Sequence, residues 1–253
     1  MLNALASSKQ SPPKRRSALK AILDHIDNIT PHIKTFWFKP ERPVQFVAGQ
    51  FTELYLPHGN PDERGVKRWL TLSSSPKDSL LSITTKFPRG GQQTSTFKQT
   101  LLKLPLGAQV DLAEPMGDFV LPKDTSIPVI LVAGGIGITP AHSMIKYLQD
   151  TGERRSITLM HGVNTADELV FAGLFNSYPL RYIPIVKNPS PTWQGETGNI
   201  TAARIQQEIG SQNTLIYLAG PEPMIEALAG GLADAGIPKA SIITDFFPGY
   251  PNA

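Results

Sequence analysis

The segment Val129-Ile-Leu-Val-Ala-Gly-Gly-Ile-Gly-Ile-Thr-Pro140 runs five apolar residues straight into a turn stripped of side chains. Gly134, Gly135 and Gly137 leave backbone N–H groups bare where a helix N-terminus faces outward, an arrangement that accepts a phosphate. Thr139 is suited to cap the following helix, and Pro140 to its first position, where a missing N–H costs nothing. The chemistry on offer is the seating of a dinucleotide pyrophosphate; the competing reading is an ordinary strand-to-helix turn that uses glycine for its geometry. The spacing departs from G-x-G-x-x-G, and the next strand ends at Met160-His161-Gly162 without the acidic residue that usually holds a ribose.

A second group lies earlier in the chain. Arg68-Trp69-Leu70-Thr71-Leu72-Ser73-Ser74 puts a guanidinium, two side chains able to cover a flat ring and a cluster of hydroxyls at the end of one strand. About twenty residues later Thr94, Ser95 and Thr96 open a short helical stretch, whose first N–H groups and hydroxyls suit an anion. An arginine fork beside a helix start makes a pyrophosphate clamp. The five histidines show no metal-ligand spacing, so no metal site is expected, although His161 stands at a strand end where a nucleotide would pass.

Two kinds of periodicity position these groups. Six short alternating runs, 17–26, 32–38, 50–56, 66–72, 79–87 and 108–113, are separated mostly by Pro/Gly/Ser turns, with one helix at 95–102. That pattern predicts a small closed antiparallel barrel. After Leu121-Pro122-Lys123-Asp124 the period changes: strands at 129–133, 156–161, 181–186, 214–219 and 241–244 alternate with helices at 140–150, 166–175, 201–209 and 221–235. This predicts a doubly wound, five-stranded parallel sheet. The expected organisation is a disordered basic tail at 1–16, a barrel domain at 17–124 and a nucleotide-binding domain at 125–253. Ligands of such sheets bind beyond the carboxyl ends of the strands, where Gly134 to Gly137, His161-Gly162 and Ala219-Gly220-Pro221 all fall.

The order of these motifs resembles the ferredoxin–NADP reductase superfamily over residues 17–247. Gly49-Gln50-Phe51 is similar to its G-Q-F signature, Arg68 to Thr71 to its R-x-Y-S/T flavin motif, and Gly134 to Pro140 to its nicotinamide-domain motif. Gly220-Pro221-Glu222-Pro223-Met224 is similar to its G-P-x-x-M, and Asp245-Phe246-Phe247 to its terminal E-x-F. The resemblance implies a flavin-binding barrel and an NAD(P) domain meeting at a cleft. Arg68 would hold flavin phosphate, Thr71 would sit near flavin N5, and Trp69 and Leu70 would neighbour the ring. Thr84, Thr85 and Lys86 would line the ring edge, and Thr94, Ser95 and Thr96 would take the pyrophosphate. Gly134, Gly135, Gly137, Thr139 and Pro140 would receive NADPH or NADH, with Gly220, Pro221 and Met224 flanking the nicotinamide side. Asp245, Phe247 and Thr71 would be the catalytic residues, and FAD is expected rather than FMN because two pyrophosphate ligands are present.

This chain departs from the family pattern in four places. Leu70 stands in place of a stacking Tyr, which puts weight on Trp69; Ala219 replaces a frequent Cys; Asp245 replaces Glu; and Asn164 stands where NADPH users often have a basic residue. Lys187 or Arg181 would then meet a 2′-phosphate, unless both are simply solvated. The aromatic end, Phe246-Phe247-Pro248-Gly249-Tyr250, is expected to fold Phe247 and Tyr250 back across the flavin face as a gate.

Composition narrows the function classes. No cysteine is present among the 253 residues, which removes thiolate zinc sites and cysteine-ligated iron–sulfur clusters from this chain, so electrons would leave the flavin for a separate redox protein or small-molecule acceptor. That composition fits a reducing compartment and a cytoplasmic location, with organelle targeting by the tail as an alternative. Of 24 basic residues, Lys9, Lys14, Arg15, Arg16 and Lys20 precede the first acid, Asp24; the remaining 19 face 21 acidic residues, so the net charge of +3 belongs to the tail. Nucleic-acid binding is not expected, since no aromatics interleave with those charges. No apolar run is long enough to span a bilayer, and a monomer is expected. The leading expectation is an NAD(P)H-dependent flavoprotein reductase, and the alternative is a flavin-binding electron-transfer module with weak or no NAD(P)H oxidation.

Overall fold

The computed structural model describes residues 19–89 and 94–247; of Phe246 and Phe247 only the backbone is described. The six alternating runs become β1 (Leu19–Asn28), β2 (Ile33–Pro40), β3 (Phe51–Tyr55), β4 (Lys67–Thr71), β5 (Leu81–Lys86) and β6 (Gln109–Leu112), with helix α1 (Thr96–Leu102) between the last two. Their sheet order is β4-β3-β6-β1-β2-β5, and a bridge between Leu72 and Ile83 joins the two edges into a barrel. Alternation does the folding: in β1, Leu19, Ala21 and Leu23 are buried while Lys20, Ile22 and Asp24 are exposed. Phe36, Phe38, Leu54, Leu72 and Ile83 fill the interior, and α1 adds Phe97 and Leu101.

The second sheet runs in the order β10-β9-β8-β7-β11-β12, with every pairing parallel. Its strands are β7 (Val129–Gly134), β8 (Ile157–Val163), β9 (Arg181–Val186), β10 (Glu196–Thr197), β11 (Leu215–Pro221) and β12 (Ile242–Phe247). Helices α2 (Thr139–Thr151), α3 (Ala172–Ser177), α4 (Ala202–Gln206) and α5 (Glu222–Asp234) connect them. β7 is buried on both faces: Val129, Leu131 and Ala133 pack with α2 and α3, while Ile130 and Val132 pack with α4 and α5. The first of these layers also takes in Ile33, Ala48 and Phe119, so its apolar core continues across to the barrel side.

The expected five parallel strands gain a sixth. β10 is two exposed residues at the sheet edge, too short for any period to reveal. The expected helix at 166–175 divides into a 3₁₀ turn, Ala166–Glu168, and α3, because Phe171 between them adopts φ +65°. Thr139 is not a cap. A 3₁₀ turn, Gly135–Ile138, runs straight into α2, Thr139 is already helical, and its hydroxyl donates back to the Ile136 carbonyl at 3.2 Å. Among the described residues no helix is long and apolar enough to cross a membrane.

Candidate active site at the cleft

Two cavities open between the barrel and the parallel sheet. The larger, about 660 Å³, is lined by the end of β4, by Thr84 and Thr85 of β5, by Thr94, Ser95 and Lys98, and by Ile136 and Thr139 from the far side. The smaller, about 430 Å³, lies beyond the carboxyl ends of β7, β8, β9 and β11 and is lined by Gly134, Gly135, Gly137, Gly162, Asn164, Lys187, Gly220, Pro221 and Met224. Ile136 borders both. The turn between β7 and α2 is therefore the wall the two spaces share.

The larger cavity is built for a ligand with polar edges. Among the described residues the buried hydroxyls of Thr71 and Thr94 have no hydrogen-bond partner, and both residues line this space. A buried polar group left unpaired costs about 1–3 kcal/mol, so two facing one cavity point to a partner supplied by a bound molecule. Thr84 differs: its hydroxyl is 2.8 Å from both Thr35 Oγ1 and Ser73 Oγ. Leu70 leans into the barrel core, and Trp69, 63% exposed, rests tilted against Phe51 with ring centroids 6.0 Å apart. Trp69 and Leu70 both line the cavity.

The expected anion clamp is engaged from within the chain. Arg68 donates to both Asp62 carboxylate oxygens at 2.6 and 2.7 Å, its other terminal nitrogen donates to the carbonyls of Arg64, Gly65 and Lys67, and its guanidinium lies 4.9 Å over the Phe97 ring. Burial works to raise the Asp62 carboxyl, but hydrogen bonding and charge from Arg68, and then Arg64, hold it below the usual range. At α1 the Ser95 hydroxyl accepts from Lys98 N at 3.2 Å and is used as the cap. The Thr96 hydroxyl accepts from Asp62 N at 3.2 Å and lies 3.0 Å from His58 Nε2. Of the expected pyrophosphate ligands, the Thr94 hydroxyl alone has no partner among the described residues.

The smaller cavity is walled largely by backbone and apolar side chains. A Cβ on Gly137 would collide with the Ala219 carbonyl and come within 2.7 Å of Gly220 Cα, so this glycine lets the turn pack on the end of β11. Gly134 is pressed against Met224 and Pro221, and Gly220 against Gly134. Gly135 alone of the turn's glycines has a positive φ, +53°, and open space where a side chain would stand. Beneath the turn, buried His161 donates from Nε2 to the Gly135 carbonyl at 3.0 Å, while the Tyr182 hydroxyl lies 3.4 Å from its Nδ1. Burial lowers the His161 pKa to about 4, which keeps the ring neutral.

Several expected residues occupy other positions. Lys86 lines the smaller cavity, not the larger, because its Nζ reaches across to Glu168 Oε1 at 2.8 Å. Thr139 lines the larger cavity, and Pro140 borders neither. Arg181, at the start of β9, is paired with Glu208 at 2.8 Å at the end of the strand away from the cavity, so of the two expected cations only Lys187 lines it. Asp245 sits on β12 opposite Ala219 and borders neither cavity; burial raises its carboxyl to about 6. Tyr250 lies outside the described residues, as do residues 1–16, and the Phe247 side chain is not described.

Sequence reasoning missed the residues that join the two halves. Glu168, 6% exposed, binds Lys86 and, at 3.2 Å, Arg89, which also pairs with Asp167 at 2.5 Å. On the other side of the cleft His142 and Ser143 of α2 donate to the carbonyls of Ser73 and Ser74 at 2.7 and 2.6 Å. Each pair is more than sixty residues apart, and no local pattern marks it. Among the described residues no cluster could hold a metal ion.

Comparison with known proteins fits this geometry. Residues 131–229 match the family model described as "Oxidoreductase NAD-binding domain". The chain is 28% identical over 238 residues to "Phenol hydroxylase P5 protein" of Acinetobacter pittii, covering 90% of this chain and 65% of that protein. It is 28% identical over 242 residues to "Phenol 2-monooxygenase, reductase component DmpP" of a Pseudomonas species, covering 92% and 65%. It thus spans just under two thirds of the length of these relatives. Among solved structures, a cytochrome P450 reductase from Amycolatopsis superposes with TM-score 0.75 at 25% identity, covering 91% of this chain and 70% of that one. A ferredoxin–NADP⁺ reductase from Neisseria gonorrhoeae, solved with FAD and NADP, superposes with TM-score 0.73 at 20% identity, covering 91% and 98%. A closed barrel docked on a parallel nucleotide sheet, with cavities meeting at one glycine turn, and these matches together support a likeness to the ferredoxin–NADP reductase superfamily.

Proposed function

We propose that this chain is an NAD(P)H-dependent flavoprotein reductase that passes electrons from bound FAD to a separate protein or small-molecule acceptor. The observation that carries the proposal is the pair of cavities meeting at Ile136, the larger holding the unpartnered hydroxyls of Thr71 and Thr94. When bound, FAD supplies the redox chemistry, taking a hydride from nicotinamide C4 at its N5 and releasing the electrons onward. The chain supplies placement.

In this proposal the Thr71 hydroxyl donates to the reactive edge of the ring, and Thr84 and Thr85 line its other edge. Arg68 and Thr94 take the pyrophosphate, with Asp62 giving way as the phosphate enters. The turn Gly134–Gly137 seats the nucleotide, Pro221 and Met224 wall the nicotinamide side, and Lys187 faces the adenosine ribose. Asp245 stands on β12 opposite Ala219, behind the nucleotide seat and outside both cavities. The reductase component among the relatives supports a protein acceptor.

The test is the absorption spectrum of the purified protein, identification of the extracted cofactor, and anaerobic titration with NADH and NADPH. Bleaching of a bound flavin by either nucleotide is the expected result. A flavin that binds but stays oxidised would favour an electron-transfer module, and a chain that takes up no flavin would end both readings.

A further inference from the structure

The segment Leu72–Ser75 leaves the flavin-lining strand β4 and is gripped from two sides. Ser73, Ser74 and Ser75 are all fully buried. On the barrel side, Ser73 Oγ lies 2.8 Å from both Ser82 Oγ and Thr84 Oγ1, Ser73 N donates to the Ser82 carbonyl at 2.8 Å, and Ser82 N donates to Ser74 Oγ at 3.0 Å. The serine segment is thereby fixed to β5, whose Thr84 and Thr85 line the larger cavity.

On the other side the grip comes from α2. His142 Nδ1 donates to the Ser73 carbonyl at 2.7 Å, Ser143 Oγ donates to the Ser74 carbonyl at 2.6 Å, and Lys146 pairs with Asp78 at 3.3 Å. The His142 ring is held in that orientation by Phe171, centroid to centroid 3.8 Å. Burial lowers His142 to about 4, so it stays neutral with its Nδ1 proton on the carbonyl. The turn that leads into α2 is the shared wall of both cavities.

We infer that His142 and Ser143 are positioning residues: through the carbonyls of Ser73 and Ser74 they set how closely the nicotinamide seat approaches the flavin seat. The inference rests on the reductase reading above. Hydride transfer needs the reacting atoms about 3–3.5 Å apart, and a misplacement of about 1 Å costs on the order of a hundredfold in rate. Neither residue borders either cavity, so neither contributes directly to holding a ligand.

The experiment compares the native chain with Ser143→Ala, His142→Leu and His142→Asn. Three quantities are read: the limiting rate of flavin reduction at saturating nucleotide, the dissociation constants of flavin and nucleotide, and deuterium exchange of the ligand-free protein. Ser143→Ala and His142→Leu should slow the limiting rate by roughly ten- to a hundredfold with both dissociation constants within about threefold of native. His142→Asn, which keeps an N–H donor near Ser73, should recover most of the rate. Exchange should rise together in 72–77 and 139–146. An unchanged limiting rate would overturn the inference, as would a rate loss that tracks weakened flavin or nucleotide binding. If His142→Leu fails to fold, Ser143→Ala, which removes one oxygen atom, decides. The exchange arm decides the joint independently of catalysis: unchanged protection on either side overturns the inference. Failure of the native chain to be reduced is instead a failure of the reductase reading.

Discussion

The two cavities share a wall but are prepared for their ligands in opposite ways. In the barrel half the groups suited to an anion are side chains already engaged: Arg68 by Asp62, Thr96 by Asp62 and His58, Ser95 by the first turn of α1. In the parallel-sheet half the site is largely backbone, and three of its glycines exist because neighbouring chain leaves no room for a Cβ. Substitutions in the first half should therefore tune affinity, and substitutions in the second should break architecture.

The largest effect belongs to Gly137→Val. Its side chain would drive into the Ala219 carbonyl, and overpacking against rigid backbone costs roughly 3 kcal/mol or more. For a protein of this size that lowers Tm by roughly 6–12 °C. Calorimetry should show this loss before any ligand is added; a variant with native Tm that merely fails to bind nucleotide would return Gly137 to a ligand-contact role. Arg68→Ala comes next. Loss of a charged hydrogen-bond partner should weaken flavin binding by about 1.5–3 kcal/mol, roughly ten- to a hundredfold, in a fluorescence titration. Flavin held as tightly as by the native chain would show that the clamp lies elsewhere.

Acid should act mainly on the second half. His142 and His161 both fall from 6.5 to about 4 on folding, so between those values the unfolded chain binds more protons and stability rises with pH. Asp245, raised from 3.8 to about 6, acts with the opposite sign over about pH 4 to 6. Two groups against one leave stability rising with pH in that window. Denaturant melts at pH 4.5 and 5.5 should differ in that direction, and His161→Gln should flatten the difference.

The smallest effects sharpen the contrast. Asp62→Asn should tighten flavin binding about fivefold, since releasing Arg68 removes roughly 1 kcal/mol of competing interaction; weaker binding would mean that Asp62 aims the arginine instead. Gly135→Ala, with φ +53° but open space, should cost only about 1 kcal/mol of stability while still weakening nucleotide binding.

Where the sequence carries a period, the fold could be read from it. Leu19, Ala21 and Leu23 alternate with polar neighbours, and Val129 to Ala133 are continuously apolar, which told barrel strand from central parallel strand. Glu196-Thr197 has no period to show, and nothing around Phe171 announces a left-handed residue. In the site, residue types at the ends of strands marked the cavities, but partners did not show. Asp62 looks like any turn acid until Arg68 folds onto it, and Glu168 stands six residues past the strand end where a carboxylate was sought. The glycines of the turn were visible, yet the reason for Gly137 lies in Ala219, more than eighty residues away.

In the reductase proposed here, two seats separated by the Gly134–Gly137 turn exchange a hydride directly. An anaerobic single-turnover mixing experiment, with the native flavin-loaded chain and NAD(P)H deuterated at the transferring C4 position, tests it most directly. Rapid bleaching of the flavin that slows severalfold when deuterium replaces hydrogen is the expected result. A flavin that stays oxidised in the presence of saturating NADH and NADPH would contradict it.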